Sequence, residues 1–263
     1  MKTLKYFGKI IVCTTALFAL CFEFMRGASA QAGPNVFLVW PDSSEGNTSS
    51  TIPFTAGIDS VRFQQVYDFH GLTLLPGYDG PFLIQLIAFR EDAGRREGFY
   101  SRFSDFQINL STTGRAVDGL SPIFDKNVGS DDRAVVPRGS FQIGVGSGGG
   151  FSAQVGLALA PFYYDPSQGN LLLDIRNFWG GETSWGYPPF SGPAHVDAWN
   201  LAGDRVSSVS ANSVNANSGT ISSLGLVTEF WFTPIPEPST VTLLLVGLVA
   251  FGFSARLRRD RNR

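Results

Sequence analysis

The sequence contains very little cysteine, methionine and histidine. Both cysteines, Cys13 and Cys21, and both methionines lie among the first thirty residues. A chain that loses this segment has no disulfide, no thiol nucleophile and no thiolate metal site. Its stability must come from packing, and about 200 residues bury roughly 70% of the surface of the unfolded chain. We therefore expect one core that needs no covalent cross-link.

Histidine is nearly as scarce, which limits the chemistry open to the chain. His70 and His195 are the two histidines, and each has an aspartate two residues away, Asp68 and Asp197. Residues i and i+2 share a face of a strand, so either pair provides two metal ligands or a base with its orienting carboxylate. A zinc site would need both histidines plus carboxylates. A Ser-His-Asp site would need a serine that the sequence does not identify, and isolated surface histidines are far commoner than catalytic ones.

The N-terminus has the three parts of a secretory signal peptide. Positive charge comes first, on Lys2, Lys5 and Lys9. Residues 10–22 are apolar, and Ala28 and Ala30 are the small residues that a signal peptidase recognises. We predict a signal peptide over residues 1–30, cleaved after Ala30 by signal peptidase. The alternatives are an uncleaved anchor and a lipoprotein modified at Cys21, which the bulky residue before this cysteine disfavours.

The C-terminus has a second three-part pattern. The motif Pro236-Glu237-Pro238 precedes an apolar run at residues 240–255. Five arginines follow: Arg256, Arg258, Arg259, Arg261 and Arg263. As a helix the run is about 24 Å long, against about 30 Å for the hydrocarbon core of a bilayer, so length alone leaves a buried core helix open. The flanking prolines and arginines favour a transmembrane helix with the arginines on the cytoplasmic side and the body exported.

This C-terminal arrangement resembles the PEP-CTERM sorting signal of Gram-negative bacteria, over residues 234–263. The resemblance implies recognition by an exosortase, a membrane enzyme similar to cysteine transpeptidases, and cleavage near Pro236, Glu237 and Pro238. It also implies an inner-membrane intermediate, followed by the cell surface or an extracellular matrix, often together with exopolysaccharide. It implies nothing about the activity of the body. A plain C-terminal membrane anchor is the alternative.

Removing both terminal segments changes the charge of the chain. The whole sequence has a formal net charge of −2, but four basic residues lie in the first thirty and five arginines lie in the tail. Without them, and without Glu23 and Asp260, residues 31–237 keep 11 basic and 20 acidic residues, a net charge of −9. A body this acidic disfavours binding to nucleic acid or anionic lipid.

Residues 31–233 have the pattern of a single all-β domain. Apolar and polar residues alternate in several short runs, and clusters of Gly, Pro, Asn, Asp and Ser between them provide turns. The predicted strands cover residues 35–40, 61–67, 82–90, 104–110, 134–136, 141–145, 152–161, 171–178, 205–210 and 226–233. This spacing predicts a β-sandwich of jelly-roll type. The Ser-rich and Asn-rich stretch at 207–223 is predicted to be a weak strand plus a mobile loop.

Four segments of the body also resemble a group of all-β PEP-CTERM proteins without an assigned activity. These segments are residues 64–67, 87–90, 107–112 and 170–178. The resemblance implies one β domain and no mechanism.

An aromatic loop over residues 178–190 provides the best candidate ligand site. Its candidate residues are Trp179, Glu182, Trp185 and Tyr187, with Trp199 following. Exposed aromatic rings stack on sugar faces while a carboxylate accepts hydroxyl hydrogen bonds, so the loop suggests a carbohydrate-binding module. The same rings also suit the end of a hydrophobic core. A secreted hydrolase using Glu182, Asp197 or a histidine is the weaker alternative, and it depends on the distance between carboxylates.

A loose likeness to calcium loops occurs at residues 125–132. Oxygen-bearing side chains come from Asp125, Asn127, Asp131 and Asp132. Calcium loops use such groups at similar spacing, but an EF-hand needs a ligand where Gly129 stands and a closing glutamate. A plain polar turn is the simpler interpretation, and calcium is the metal we would expect if one is bound.

The glycine-rich run 144–149 satisfies the G-x-G-x-x-G pattern of dinucleotide sites. Such a site needs a helix after the glycines, whereas residues 151–159 have a strand pattern, so we interpret the run as a hairpin. Taken together, the patterns predict no catalytic residue and no cofactor. They predict an exported structural or interaction protein.

Overall fold

The computed structural model describes residues 36–41, 46–54, 60–69, 80–92, 99–145, 160–179, 182–185, 190–191 and 195–235. These residues form fifteen strands and two short 3-10 helices, and every strand pairing is antiparallel. The predicted all-β class is therefore confirmed. No helix within these ranges is both long and apolar enough to cross a bilayer. The predicted signal peptide and the predicted helix at 240–255 lie outside the described residues.

Four strands form one sheet in the order β1-β15-β4-β7. Their bounds are β1 Val36–Trp40, β4 Phe82–Phe89, β7 Phe162–Tyr164 and β15 Thr228–Pro234. The last strand among the described residues, β15, is thus internal to this sheet. It pairs with the first strand on one side and with β4 on the other.

Eight strands form a second sheet in the order β10-β9-β5-β8-β3-β12-β13, with β6 also paired to β5. Their bounds are β3 Val61–Tyr67, β5 Phe99–Thr113, β6 Arg133–Val145, β8 Asn170–Trp179, β9 Glu182–Trp185, β10 Phe190–Ser191, β12 Val206–Ala211 and β13 Thr220–Ser222. A third sheet has the order β14-β11-β2, from β2 Thr48–Ser50, β11 Val196–Asn200 and β14 Leu224–Leu226.

The main hydrophobic core is rich in phenylalanine and contains side chains from all three sheets. Tyr67 of β3 meets Phe230 of β15 edge to face, with ring centroids 4.9 Å apart. Phe54 meets Phe89 of β4 edge to face and stacks on Phe106 of β5, with ring centroids 5.1 and 6.2 Å away. Full burial of one such ring stabilises the fold by about 1.5–3 kcal/mol, so these contacts hold the four-stranded and eight-stranded sheets together.

A smaller core lies on the other face of the eight-stranded sheet. Its members are Val66, Leu120, Phe124, Leu172 and Val209. Leu120 and Phe124 belong to the connection between β5 and β6, so this connection covers the outer sides of β3, β8 and β12. The coverage explains why all seven residues of β3 are buried, although a sheet with one wet face would alternate.

The observed strands agree in part with the predicted ones. Residues 61–67 are confirmed as β3, and the runs 104–110, 134–136, 141–145 and 171–178 lie within longer strands. The runs 35–40, 82–90, 205–210 and 226–233 overlap β1, β4, β12 and β15, whose bounds differ from the predicted ones by one or two residues. The predicted runs 134–136 and 141–145 are one strand, β6, whose register against β5 shifts at bulges. Within 152–161, only 160–161 are described, and they are not in a strand. The stretch 207–223, predicted as a weak strand plus a mobile loop, contains most of β12 and, in addition, all of β13.

Candidate functional site

Trp179 is the residue of the predicted aromatic loop that the structure places most clearly. It ends β8, and its side chain is 64% exposed. Glu182 and Trp185 belong to β9. This strand pairs with residues 99–102 of β5, next to the residues 105–113 that pair with β8. The side chains of Glu182 and Trp185, and all of Tyr187, lie outside the described residues. The outward position of Trp179 leaves its ring available for stacking on a ligand.

Trp199 lies in β11 of the three-stranded sheet, so it is on a different sheet from Trp179. The residue is half-buried, and its indole Nε1 is buried without a hydrogen-bond partner. The grouping of Trp199 with the loop at 178–190 therefore rests on the sequence, and the strand order does not join them.

Asp197, the candidate carboxylate of β11, is held by an arginine. Its side chain is almost fully buried, and Oδ2 accepts from Arg90 Nε at 2.7 Å and Nη2 at 2.6 Å. The backbone N–H of Gly46 donates to the same oxygen at 3.1 Å. A Cβ at Gly46 would overlap the other carboxylate oxygen, so the small residue permits this close approach. Asp197 therefore forms a buried ion pair at the end of β4.

His195 precedes β11, and Ser49 of β2 lies opposite Asp197. The Ser49 hydroxyl is 3.5 Å from Nδ1 of His195. Ser49 is thus the serine that the sequence could not identify beside this histidine. The Asp197 carboxylate is engaged by Arg90 rather than by the imidazole, so these groups do not form the hydrogen-bonded relay of a Ser-His-Asp site. His70 lies outside the described residues, and so does the side chain of Glu182 that a carboxylate pair would need.

The first two residues of the predicted calcium loop bond to β3. Asp125 is an exposed carboxylate 3.4 Å from the Arg62 guanidinium. Asn127 is buried and donates through Nδ2 to Gln64 Oε1 at 3.0 Å. Its Oδ1 accepts from the backbone N–H of Ser121 at 2.8 Å. Asn127 therefore fastens the connection between β5 and β6 onto the sheet.

The last two residues of that loop bond to β5 instead. Asp131 accepts from the Thr112 backbone N–H and hydroxyl, both at 2.7 Å. Asp132 accepts from Asn109 Nδ2 at 2.9 Å. Desolvation raises the pKa of the Asp132 carboxyl in spite of this hydrogen bond. Within the described ranges, no three His, Cys, Asp or Glu side chains are grouped so that they could hold a metal ion. A calcium site here stays a prediction.

A buried ionic network on the outer face of the eight-stranded sheet was missed by the sequence analysis. Asp174 of β8 accepts from Arg62 at 3.0 Å, from Gln64 at 3.1 Å and from Arg176 at 3.0 Å. The Arg62 guanidinium also lies over the Phe124 ring, 4.6 Å from its centroid. The sequence signal was the i, i+2 spacing of Arg62 with Gln64 and of Asp174 with Arg176, which places each pair on one face.

The sorting signal begins where the described β body ends. β15 ends at Pro234, and Ile235 is the last described residue. Pro236, Glu237 and Pro238 and the terminal arginines lie outside the described residues. The signal cleavage residues Ala28 and Ala30 and most of the glycine run at 144–149 also lie outside them.

Comparison with known proteins identifies this C-terminal segment. A family model for the PEP-CTERM protein-sorting motif matches residues 234–259. No curated protein and no solved structure matches the chain. The likeness of the body to an all-β group therefore stays a prediction, while the C-terminal prediction is confirmed. The chain therefore carries a PEP-CTERM protein-sorting motif over residues 234–259.

Proposed function

We propose that this protein is an exported structural or interaction protein of the cell surface or exopolysaccharide matrix, without catalysis. The observation that carries the proposal is the PEP-CTERM motif at residues 234–259, joined directly to a β body. The motif is that of an exported protein processed by an exosortase. A signal peptide at 1–30, removed by signal peptidase, would supply the export step. A helix at 240–255 with the C-terminus in the cytoplasm would then hold the chain in the inner membrane before cleavage.

The β body supports a binding or structural role more than a catalytic one. Asp197 and Asp174 are carboxylates buried in the fold, and arginines occupy both. A general base needs access to a substrate proton, and Oδ2 of each carboxylate already accepts hydrogen bonds from a guanidinium group. We also propose that the four-stranded and eight-stranded sheets form a sandwich of jelly-roll type, which the shared Tyr67–Phe230 contact supports.

The sorting proposal is tested by replacing Glu237 in the full chain, in cells that contain the exosortase. Glu237→Ala should accumulate a larger, membrane-bound species and reduce the mature form at the surface. Asp260→Asn is the matched control, because it removes an acidic residue from the same tail outside the P-E-P motif. Unchanged size and location for Glu237→Ala would show that the motif does not direct processing.

Carbohydrate binding is the second candidate, favoured by the 64% exposure of Trp179. An exposed indole at a strand end can stack on a pyranose face, and the acidic body makes an anionic glycan a poorer ligand than a neutral one. Calcium is the cofactor that we would test with it, because Asp131 and Asp125 are exposed.

A glycan-array screen of the purified mature protein, with and without calcium, tests this candidate. Trp179→Ala should abolish any signal that depends on stacking. Tyr163→Ala is the control, because Tyr163 is also an exposed aromatic side chain, at 53%, but lies on the four-stranded sheet. Equal loss of signal in both variants, or no signal from the parent protein, would argue against a site at Trp179.

A further inference from the structure

The sorting motif and the last strand of the body share a residue. The motif match begins at Pro234, which is also the final residue of β15. Ile235 alone separates this strand from Pro236 of the P-E-P motif. The cut site therefore has almost no linker on its N-terminal side.

β15 cannot be peeled from the edge of its sheet, because it is an internal strand. Phe232 pairs with Val36 of β1, and Pro234 pairs with Phe82 of β4. The backbone hydrogen bonds of β15 are thus shared with two neighbours along nearly its whole length. Opening its end also disturbs the start of β1.

Two phenylalanine side chains anchor the end of β15 in the main core. Phe230 and Phe232 are each 1% exposed. The Phe232 ring lies 4.6 Å from that of Phe82, and the Phe230 ring lies 4.9 Å from that of Tyr67. Residues 230–234 therefore cannot leave the sheet without bringing buried aromatic surface into water.

A processing enzyme that binds an extended peptide needs the backbone groups on both sides of the cut. In the folded body, the residues before Ile235 already use those groups within the sheet. Given the exosortase processing proposed above, we propose that the cut lies beyond Pro234, so that the mature body ends at Ile235 or later, and that the folded end of β15 restrains it. The peptide C–N bond is broken at the cut. With water as acceptor, the body gains a carboxylate and the tail gains an amino group.

The restraint has a consequence for the order of events. A body that folds first protects its own cut site and stays joined to the tail for longer. A chain whose β15 is still open presents the site freely. Removal of the sorting signal is then coupled to the stability of one strand, although that strand contributes only Pro234 to the matched motif.

The test uses the full chain in cells that contain the exosortase. A spacer of about six Gly and Ser residues, roughly 20 Å when extended, is inserted between Pro234 and Ile235. Pulse-chase labelling should show processing several-fold faster than in the parent chain. Mass spectrometry should show that the mature parent chain ends at Ile235 or at a later residue. The spacer leaves every residue of the body unchanged, so the result does not depend on a core variant that fails to fold.

A matched pair of core variants separates the strand from general instability. Phe232→Ala should speed processing, because it loosens the end of β15. Phe141→Ala, which removes a buried ring of β6, should not. An unchanged or slower rate with the spacer, or a mature C-terminus at or before Pro234, overturns the inference. If Glu237→Ala still blocks processing in that case, only the restraint fails; if Glu237→Ala has no effect, the proposed sorting itself fails.

Discussion

The buried pair of Arg90 and Asp197 offers the sharpest test of whether the carboxylate of β11 is structural. Asp197→Asn keeps the size of the side chain but removes its charge. The Asp197 Oδ2 now accepts two hydrogen bonds from Arg90 and one from Gly46, all at 3.1 Å or less. The Arg90 side chain is only 12% exposed. In the variant, the buried guanidinium loses this carboxylate.

The magnitude follows from the burial of both groups. Breaking a buried ion pair by removing one partner costs about 3–5 kcal/mol, because a desolvated charge is left behind. The asparagine keeps one oxygen that can accept from Arg90, so we expect the lower end, about 3 kcal/mol. At a urea dependence of about 2 kcal/mol per molar, the midpoint of unfolding should fall by about 1.5 M.

Urea unfolding followed by tryptophan fluorescence measures this change, with Asp105→Asn as the control. Asp105 forms a similar two-bond pair with Arg138, at 2.8 and 2.7 Å. The Arg138 side chain is 56% exposed, so water and salt screen that pair. Asp105→Asn should shift the midpoint far less, and added salt should reduce its effect further. A shift for Asp197→Asn no larger than that of the control would refute the argument from burial.

Three further substitutions probe other parts of the body. Asn177 is fully buried, and neither its amide oxygen nor its amide nitrogen has a hydrogen-bond partner. Asn177→Val should therefore raise the free energy of unfolding by about 1 kcal/mol. A lower free energy of unfolding, measured with urea, would contradict this. Burial raises the pKa of Asp204 to about 6 from 3.8. The folded protein then holds a proton that the unfolded chain releases, so stability should fall as pH rises from about 4 to 6. In Asp204→Asn, the melting temperature should depend less on pH over this range. An unchanged pH dependence in the variant would contradict the prediction. A Cβ at Gly129 would overlap the Thr112 carbonyl oxygen. Gly129→Ala should therefore lower the free energy of unfolding by about 2 kcal/mol, measured in the same thermal melts. An unchanged melting temperature would show that the turn can shift.

Local pattern was enough for the strands that alternate or are continuously apolar. β3 at 61–67 and β8 around 171–178 were predicted within a residue at each end, because their apolar residues recur with a period of two or fill both faces. β11 and β2 were missed. Their side chains include Asp197, Trp199 and Ser49, which have no strand pattern on their own. Partners distant in the sequence make these segments strands.

In the candidate site, too, the sequence could predict some features and not others. The exposure of Trp179 depends on where β8 ends within a sheet, and the sequence alone allowed either an outward ring or a core ring. The predicted calcium residues illustrate the opposite outcome. Their spacing is local, but Asn127 bonds to Gln64, and Asp131 to Thr112. The spacing of residues shows which side chains are close in the sequence. It does not show which other groups of the fold form hydrogen bonds with those side chains.

The sequence by itself determined the C-terminal sorting signal, the all-β class and the acidic, cysteine-free character of the body. These properties depend on composition and on contiguous patterns that a single stretch of chain carries. Only the tertiary structure decided that Asp197 belongs to Arg90, that Gln65 bonds the backbone of Leu226 at 3.0 Å, and that β15 is internal. The physical reason is that a buried polar group must find its partner across the fold, and strand order depends on how the whole chain packs its core.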